Sequence, residues 1–245
     1  MASNAATTAT PVRGFMADQA FFTRFAIAMA AFILFGFIQF ELRGFVNIIE
    51  APWFLHVHGA LMVSWLGVYV LQSTLISSGQ VAIHRKTGWL AVLLAVAVVG
   101  FGSFTGVHAI AMGTVPPFFT NGFFLALNQF GMLGFALVVG LAIVKRRQIE
   151  WHRRLMVGTG IMVMEPALGR LLPMPLMGQT VGGLVATGIQ LGAVAILARH
   201  DRKVLGRVHP ATLVIALLLV VSRLAIELLS RTPAWNALAQ SIAAG

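Results

Sequence analysis

Seven long apolar segments constrain the fold of this chain more than any other feature of its sequence. Several of them approach the roughly 20 residues that an α-helix needs to cross a lipid bilayer. Charged residues make up only 10% of the chain, whereas soluble domains carry about 25%. The segments are 21–40, 54–77, 88–112, 121–144, 155–172, 181–198 and 210–229. The sequence therefore predicts an all-α, polytopic transmembrane helical bundle with about seven spans.

The two ends of the chain differ from the predicted bundle, which covers residues 21–230. Residues 1–20 are mostly small and polar, and they lack a charged region followed directly by an apolar core. They predict a flexible N-terminal tail rather than a typical cleaved signal peptide. Residues 231–245 predict a C-terminal tail or a short interfacial helix, with Trp235 as its membrane anchor.

Cationic side chains are concentrated in alternate loops. The loops at 78–87, 145–154 and 199–209 contain 2, 5 and 4 lysines or arginines, whereas the intervening loops contain Arg43 and little else. The positive-inside rule therefore predicts a cytoplasmic N-terminus and an external C-terminus. The net charge of +10 then indicates contact with the bilayer and its anionic lipid headgroups at these loops, and not nucleic-acid binding.

Ionisable and amide side chains recur inside the spans, mostly in the half predicted to be outer. Such residues are costly in a bilayer and usually face the bundle interior, where they pair with one another. Pro166 directly follows Glu165, so we expect a kink that frees a backbone carbonyl beside the carboxylate. We expect Glu165 to meet a cation from another helix, with Arg223 preferred. The candidate ligand pocket consists of His58, Asn128, Glu165, Arg170, Arg223 and Glu227.

Each charged member of this pocket also has a purely structural interpretation. Arg170 precedes Leu-Leu-Pro, so it can mark the outer end of a short helix and extend its head group to water. Arg223 and Glu227 are four residues apart and can pair to lock their helix against its neighbours. Glu165 can be a buried hydrogen-bonding group with no ligand.

Histidines at similar depths on neighbouring helices suggest ligands of a b-type haem. The outer pair is His58 with His108, and the inner pair is His84 with His152. An arginine directly follows each inner histidine, so contact with lipid phosphates or loop carbonyls is the alternative. The chain lacks an HExxH motif, a Walker loop and a GxGxxG unit, and it has no cysteine. No metal site and no catalytic residue is therefore predicted.

Short motifs between residues 54 and 175 carry a resemblance to a known family. His58 and Gln72 lie in the second segment, HRKTG follows at 84–88, HRRLM at 152–156, and Arg170 lies downstream. In this order the sequence resembles a bacterial multi-pass inner-membrane family defined only as a domain of unknown function. The resemblance implies the bacterial inner membrane and no particular activity. The paired histidines give a weaker likeness to b-type membrane cytochromes.

The leading functional expectation is an integral inner-membrane protein that binds a small or lipid-like ligand, or a membrane protein partner, through the outer-half pocket. Two alternatives stay open at this point. One is a redox protein that carries a b-type haem or uses a quinone. The other is a proton-coupled transporter in which Glu165 is the titrating group, because its carboxyl lies near the middle of a span.

Overall fold

The computed structural model describes residues 10–245 of the chain, with side chains from Asp18 onward. Within this part of the chain the regular structure is helical, with no β-strand, so the predicted all-α fold is confirmed. The helices are α1 Thr10–Leu42, α2 Trp53–Ser77, α3 Val81–Ala111, α4 Asn121–Val144, α5 Ile149–Met162, α6 Glu165–Leu171, α7 Met174–Leu205, α8 Pro210–Leu229 and α9 Pro233–Ala244.

Six of these helices are long and apolar enough to cross a membrane, namely α1 from Asp18 onward, α2, α3, α4, α7 and α8. Their outer surfaces keep large apolar side chains exposed. On α3, for example, Leu90, Leu93 and Val96 are each about two-thirds exposed, at 65%, 67% and 67%. Such surfaces are stable only against lipid or another apolar partner. The chain is therefore a multi-pass membrane protein.

The fifth predicted segment is two short helices instead of one continuous span. Helix α5 ends at Met162 and α6 begins at Glu165. Pro166 explains the break, because it has no N–H to donate and its ring clashes with the carbonyl four residues earlier, which is that of Met162. Gln190 Nε2 of α7 donates to the freed carbonyl of Met162, at 3.4 Å, and to the carbonyl of Ile161, at 2.9 Å. The predicted kink and freed carbonyl are confirmed.

A second break lies in α7, where Gly178 has φ of 69°. Glycine adopts this left-handed conformation without the steric cost that other residues meet. The break lies four residues after the start of α7, so the helix changes direction near the end opposite the cationic loops. Helix α6 and the first turn of α7 therefore lie at the same end of the bundle.

The interior face of α2 carries both aromatic and polar side chains. Trp65, Tyr69 and Gln72 recur at helical spacing on one face, and all three are buried. Trp65 packs edge-on against Phe135 of α4, with ring centroids 5.1 Å apart. Gln72 Nε2 donates to Thr87 Oγ1 of α3 at 2.7 Å. Helix α2 therefore contributes both apolar packing and polar contacts to the bundle.

Both ends of the chain add helical structure to the bundle. Residues 1–9 of the predicted tail lie outside the described residues, but residues 10–20 belong to α1, and Asp18 and Gln19 are buried. Asp18 pairs with residues of α5 and α7, so the contacts of the bundle include this residue. At the other end, α9 packs on α3 and α4, and Trp235 Nε1 donates to the Gly122 carbonyl at 2.8 Å.

Candidate functional site

Charged side chains inside the bundle fall into two groups at different depths. The Glu165 site lies at the break between α5 and α6, and the basic-end network lies beside the cationic loops. Together they contain five of the seven acidic residues of the chain. The Glu165 site comprises Glu165, Thr180, Thr187, Arg223 and Glu227. The basic-end network comprises Asp18, Glu150, Arg153, Arg154, His200 and Asp201.

Arg223 of α8 is the centre of the Glu165 site. Its Nη2 donates to Glu165 Oε1, the partner that the sequence predicts, and its Nε donates to Thr187 Oγ1 at 3.0 Å. The residue is only 4% exposed. A Cβ at Gly183 of α7 would lie 2.5 Å from Arg223 Nη1. The glycine therefore provides the space that the guanidinium occupies, and does not serve only the close helix packing that small residues usually allow.

Charges of alternating sign extend from this site to the end of α8. Arg223 and Glu227 are four residues apart, so they lie on the same side of the helix, and Arg231 follows two residues after its last residue, Leu229. Arg223 Nη1 and Glu227 Oε1 are 3.7 Å apart, and Arg231 Nη2 and Glu227 Oε2 are 3.5 Å apart. Arg231 is 68% exposed. We call the series Arg231, Glu227, Arg223 and Glu165 the charge ladder, since it connects an exposed surface to the bundle interior.

A cavity of about 20 Å³ adjoins the ladder at Glu165 and Arg223. Its other polar lining comes from Thr187, Gln190 and Ser222. A volume of this size holds one water molecule, whereas pockets for drug-sized ligands measure several hundred Å³. The site therefore suits a proton or a water-sized ligand.

His58 and Asn128, two other predicted pocket residues, both lie beside Gly102 of α3. Asn128 Nδ2 donates to the Gly102 carbonyl at 3.2 Å. His58 Cε1 would lie 3.6 Å from a Cβ at Gly102. Neither side chain forms a hydrogen bond or ion pair with Glu165 or Arg223 in the described part of the chain. These two residues form a separate polar contact between α2, α3 and α4.

Arg170, the sixth predicted pocket residue, lies against α1. Its Nη1 donates to the Pro166 carbonyl at 2.9 Å, and its guanidinium lies 4.0 Å from the ring centroid of Phe37. The residue is next to last in α6. This position agrees with the structural interpretation of Arg170 as the end of a short helix. Among the described residues, no hydrogen bond or ion pair connects Arg170 to the Glu165 site.

The predicted outer and inner histidine pairs have different geometries. His108 stacks on Phe104, with centroids 5.1 Å apart, and packs edge-on against Phe54 at 4.7 Å. Among the described residues it makes no ring contact with His58. By contrast, the rings of His84 of α3 and His152 of α5 are in an edge contact, with centroids 6.3 Å apart and ring planes at 76°. Only the inner histidines form a pair.

The most deeply buried ion pair joins α5 and α7 and was not predicted from the sequence. Arg154 Nε donates to Asp201 Oδ1 at 2.7 Å, and both side chains are 0% exposed. The second oxygen of Asp201 accepts from the His209 backbone N–H at 3.0 Å and from Thr212 Oγ1 at 2.6 Å. The sequence feature that could have predicted this pair is a single aspartate within the cationic run RHDRK at 199–203. A single acidic residue surrounded by basic residues is a candidate for a buried ion pair with a cation from another helix.

The remaining contacts of the basic-end network join α1 to α5 and α7. Arg153 pairs with Asp18 and Glu150, and His200 Nε2 lies 2.5 Å from Asp18 Oδ1. Partial burial raises the pKa of Glu150, but hydrogen bonds and charges from Arg153 and Arg154 outweigh this effect and hold it below its ordinary value. The sequence interpretation treated both arginines as loop cations, whereas the structure buries them in this network.

His209 lies in the loop before α8 and caps that helix. Its Nδ1 accepts from the Ala211 N–H at 3.1 Å, which requires an unprotonated nitrogen. Burial lowers the pKa of His209, and the nearby charge of Arg154 lowers it further. The pKa of His209 is lower in the folded protein than in the unfolded chain. The cap therefore contributes its full stability above the unfolded pKa, and this stability is lost as the pH falls through the folded pKa.

We therefore expect His209→Asn to weaken the acid sensitivity of the protein, since asparagine caps a helix without titrating. The thermal midpoint of the purified protein in detergent is measured at about pH 7.5 and about pH 5. The native protein should lose a few degrees more than the variant, as expected for a cap of about 1 kcal/mol. Equal losses in the two proteins would contradict this role of His209.

No family model, curated protein or solved structure matches this chain. The function is therefore inferred from the geometry of the charged groups. The HRKTG and HRRLM motifs lie in the first turns of α3 and α5, where they supply the inner histidine pair and two residues of the basic-end network.

Proposed function

We propose that this membrane protein binds a proton at the Glu165 site and uses it to drive the coupled transport of a solute. The observation that carries the proposal is the charge ladder, which connects the exposed end of α8 to a carboxylate at a helix break. This proposal combines the small-ligand and transporter expectations from the sequence, with the proton as the small ligand.

The two helix breaks support a transport site. Glu165 is the first residue of α6, directly after the break that follows Met162, and Thr180 lies two residues after Gly178. Thr180 Oγ1 donates to Glu227 Oε2 at 3.1 Å, so both broken helices contribute to one site. Secondary transporters bind their substrates and coupling ions where discontinuous helices end inside the membrane.

The balance of charge supports a proton as the ligand. Two carboxylates, Glu165 and Glu227, face the single buried guanidinium of Arg223. Arg231 also reaches Glu227, but it is 68% exposed and remains in the polar surroundings at the end of α8. A buried charge without an equally buried partner is costly. Binding one proton at this site removes the excess negative charge.

Infrared difference spectroscopy of the full chain in proteoliposomes tests the proton site directly. A pH change should produce a carboxyl difference band that is lost in Glu165→Gln, because glutamine has the same shape but no titrating proton. Glu50→Gln is the matched control, since Glu50 is exposed in the loop before α2. A carboxyl band unchanged by Glu165→Gln would overturn Glu165 as the proton site.

A second measurement separates transport from proton binding. Proteoliposomes with a trapped pH-sensitive dye receive a panel of amino acids, sugars and organic anions, with and without an imposed pH gradient. At least one solute should accelerate proton entry into vesicles with the native protein and fail to do so with Glu165→Gln. Proton entry that no solute changes would contradict coupled transport even where the infrared band is present.

A further inference from the structure

We infer that the exposed face of α3 next to the loop after α4 binds an anionic phospholipid. Cations around Trp89 hold the phosphate of this lipid, and an acyl chain lies along the helix. The surface is independent of the proton site, because Glu165 lies beyond the far end of α5 from the cationic loops. We call this surface the lipid site, and it comprises Arg85, Lys86, Trp89, Leu93, Val96 and Arg146.

The cations of the lipid site have no acidic partner inside the protein. All seven acidic residues of the chain lie in the described part, and five of them belong to the Glu165 site and the basic-end network. The other two, Glu41 and Glu50, lie at the opposite end of the bundle. Among the described residues, no ion pair includes Arg85, Lys86 or Arg146. Their counter-charge therefore comes from outside the chain.

The loop at 145–154 contains two kinds of cation. Arg153 and Arg154 are 8% and 0% exposed and pair with acidic residues of other helices. Arg146 is exposed, and its Nη1 donates to the Ile143 carbonyl at 3.1 Å. A guanidinium has five N–H donors, and arginine forms strong charge-assisted hydrogen bonds with phosphates. Arg146 is therefore available to a ligand, whereas Arg153 and Arg154 hold the fold.

Trp89 brings the cations of two elements together at one point. The Arg146 guanidinium lies 5.8 Å from the centroid of its ring. Arg85 and Lys86 are exposed and precede Trp89 by four and three residues, so they adjoin it on the surface of α3. Trp89 itself is 59% exposed, and tryptophan is enriched at the level of lipid headgroups. The cations therefore surround a residue that marks the membrane interface.

An apolar stripe continues from Trp89 along α3. Leu93 and Val96 follow at spacings of four and three residues, so they lie on the same face, and each is 67% exposed. The ten residues from Lys86 to Val96 rise about 15 Å in a helix, which is about half of the hydrocarbon core of a bilayer.

The order of groups along this face is that of a phospholipid in one leaflet. A charged end comes first, an aromatic ring at the interface follows, and an apolar stripe of one leaflet's depth completes the face. The unpaired positive charge favours an anionic lipid over a zwitterionic one, since basic residues next to a span bind anionic headgroups.

Quenching of tryptophan fluorescence by brominated lipids tests the lipid site in the full chain. The protein is placed in vesicles of phosphatidylcholine with a minor share of phosphatidylglycerol, and either lipid carries the bromine. The signal of Trp89 is the difference between the native protein and Trp89→Phe. We expect brominated phosphatidylglycerol to occupy the site roughly fivefold more strongly, mole for mole, than brominated phosphatidylcholine, the effect of one basic residue at a membrane surface.

Two double variants make the test specific. Lys86→Gln with Arg146→Gln should abolish the preference for phosphatidylglycerol at Trp89. Arg202→Gln with Lys203→Gln is the matched control, because it removes the same charge from exposed positions at the same end of the bundle, and it should keep the preference. All four positions are exposed, so both variants should unfold at the thermal midpoint of the native protein.

Three results would overturn the lipid site. The first is equal quenching of Trp89 by the two lipids in the native protein. The second is a preference that survives in Lys86→Gln with Arg146→Gln, or that falls equally in the control variant, which would indicate diffuse surface charge. The third is a preference that sodium phosphate reduces more than sodium chloride at the same ionic strength, because the occupant would then be free phosphate.

Discussion

Replacing Arg154 by alanine is expected to cost about 3–5 kcal/mol of folding stability, the range for removing one partner of a buried ion pair. The change leaves Asp201 charged at a position that is 0% exposed. It also removes one of the links between α5 and α7, and α5 is a short helix that ends at the break before α6. Thermal unfolding in detergent and the yield of folded protein from membranes measure the loss.

Two further variants make this prediction specific to the buried pair. Arg202→Ala removes a cation from an exposed position one residue after Asp201, and it should change stability by less than about 0.5 kcal/mol. The double variant Arg154→Met, Asp201→Leu replaces both charges by apolar groups and should recover part of the loss. A single Arg154→Ala variant as stable as Arg202→Ala would show that the pair contributes nothing.

Replacing Arg223 by alanine should produce the second large effect, again about 3–5 kcal/mol at neutral pH. This change leaves Glu165 and Glu227 in the interior without their shared cation. The loss should be smaller at acidic pH, where protonation removes the uncompensated charges. Thermal midpoints at about pH 7.5 and about pH 5, compared between the variant and the native protein, test both the size and the pH dependence.

The charge ladder also supplies the controls for this experiment. Arg231→Ala removes the exposed end of the ladder and should cost no more than about 1 kcal/mol, as surface pairs do. Adding Glu165→Gln to Arg223→Ala should recover stability at neutral pH, because it removes one of the two unpaired carboxylates. A loss that is equal at both pH values and unaffected by Glu165→Gln would indicate lost packing of the arginine side chain instead.

Much of the fold follows from local features that the sequence displays directly. The apolar segments predict the long helices because hydrophobicity over about 20 residues is a property of the segment itself. Pro166 predicts the break before α6 because its missing N–H acts only four residues away. The pairing of Glu165 with Arg223 was also predictable, since a carboxylate deep in a span needs a cation and few are available.

Other features depend on how each helix is rotated and on which helix lies beside it. His58 and Asn128 are at a depth similar to Glu165 by sequence, yet they lie beside Gly102 and form no hydrogen bond or ion pair with Arg223 among the described residues. Arg154 and Asp201 are 47 residues apart, so no local pattern connects them. The hydropathy of the sequence determined where the helices lie along the chain, because an apolar run is a property of its own segment. Only the tertiary structure decided which polar groups meet, because a partner on another helix depends on packing.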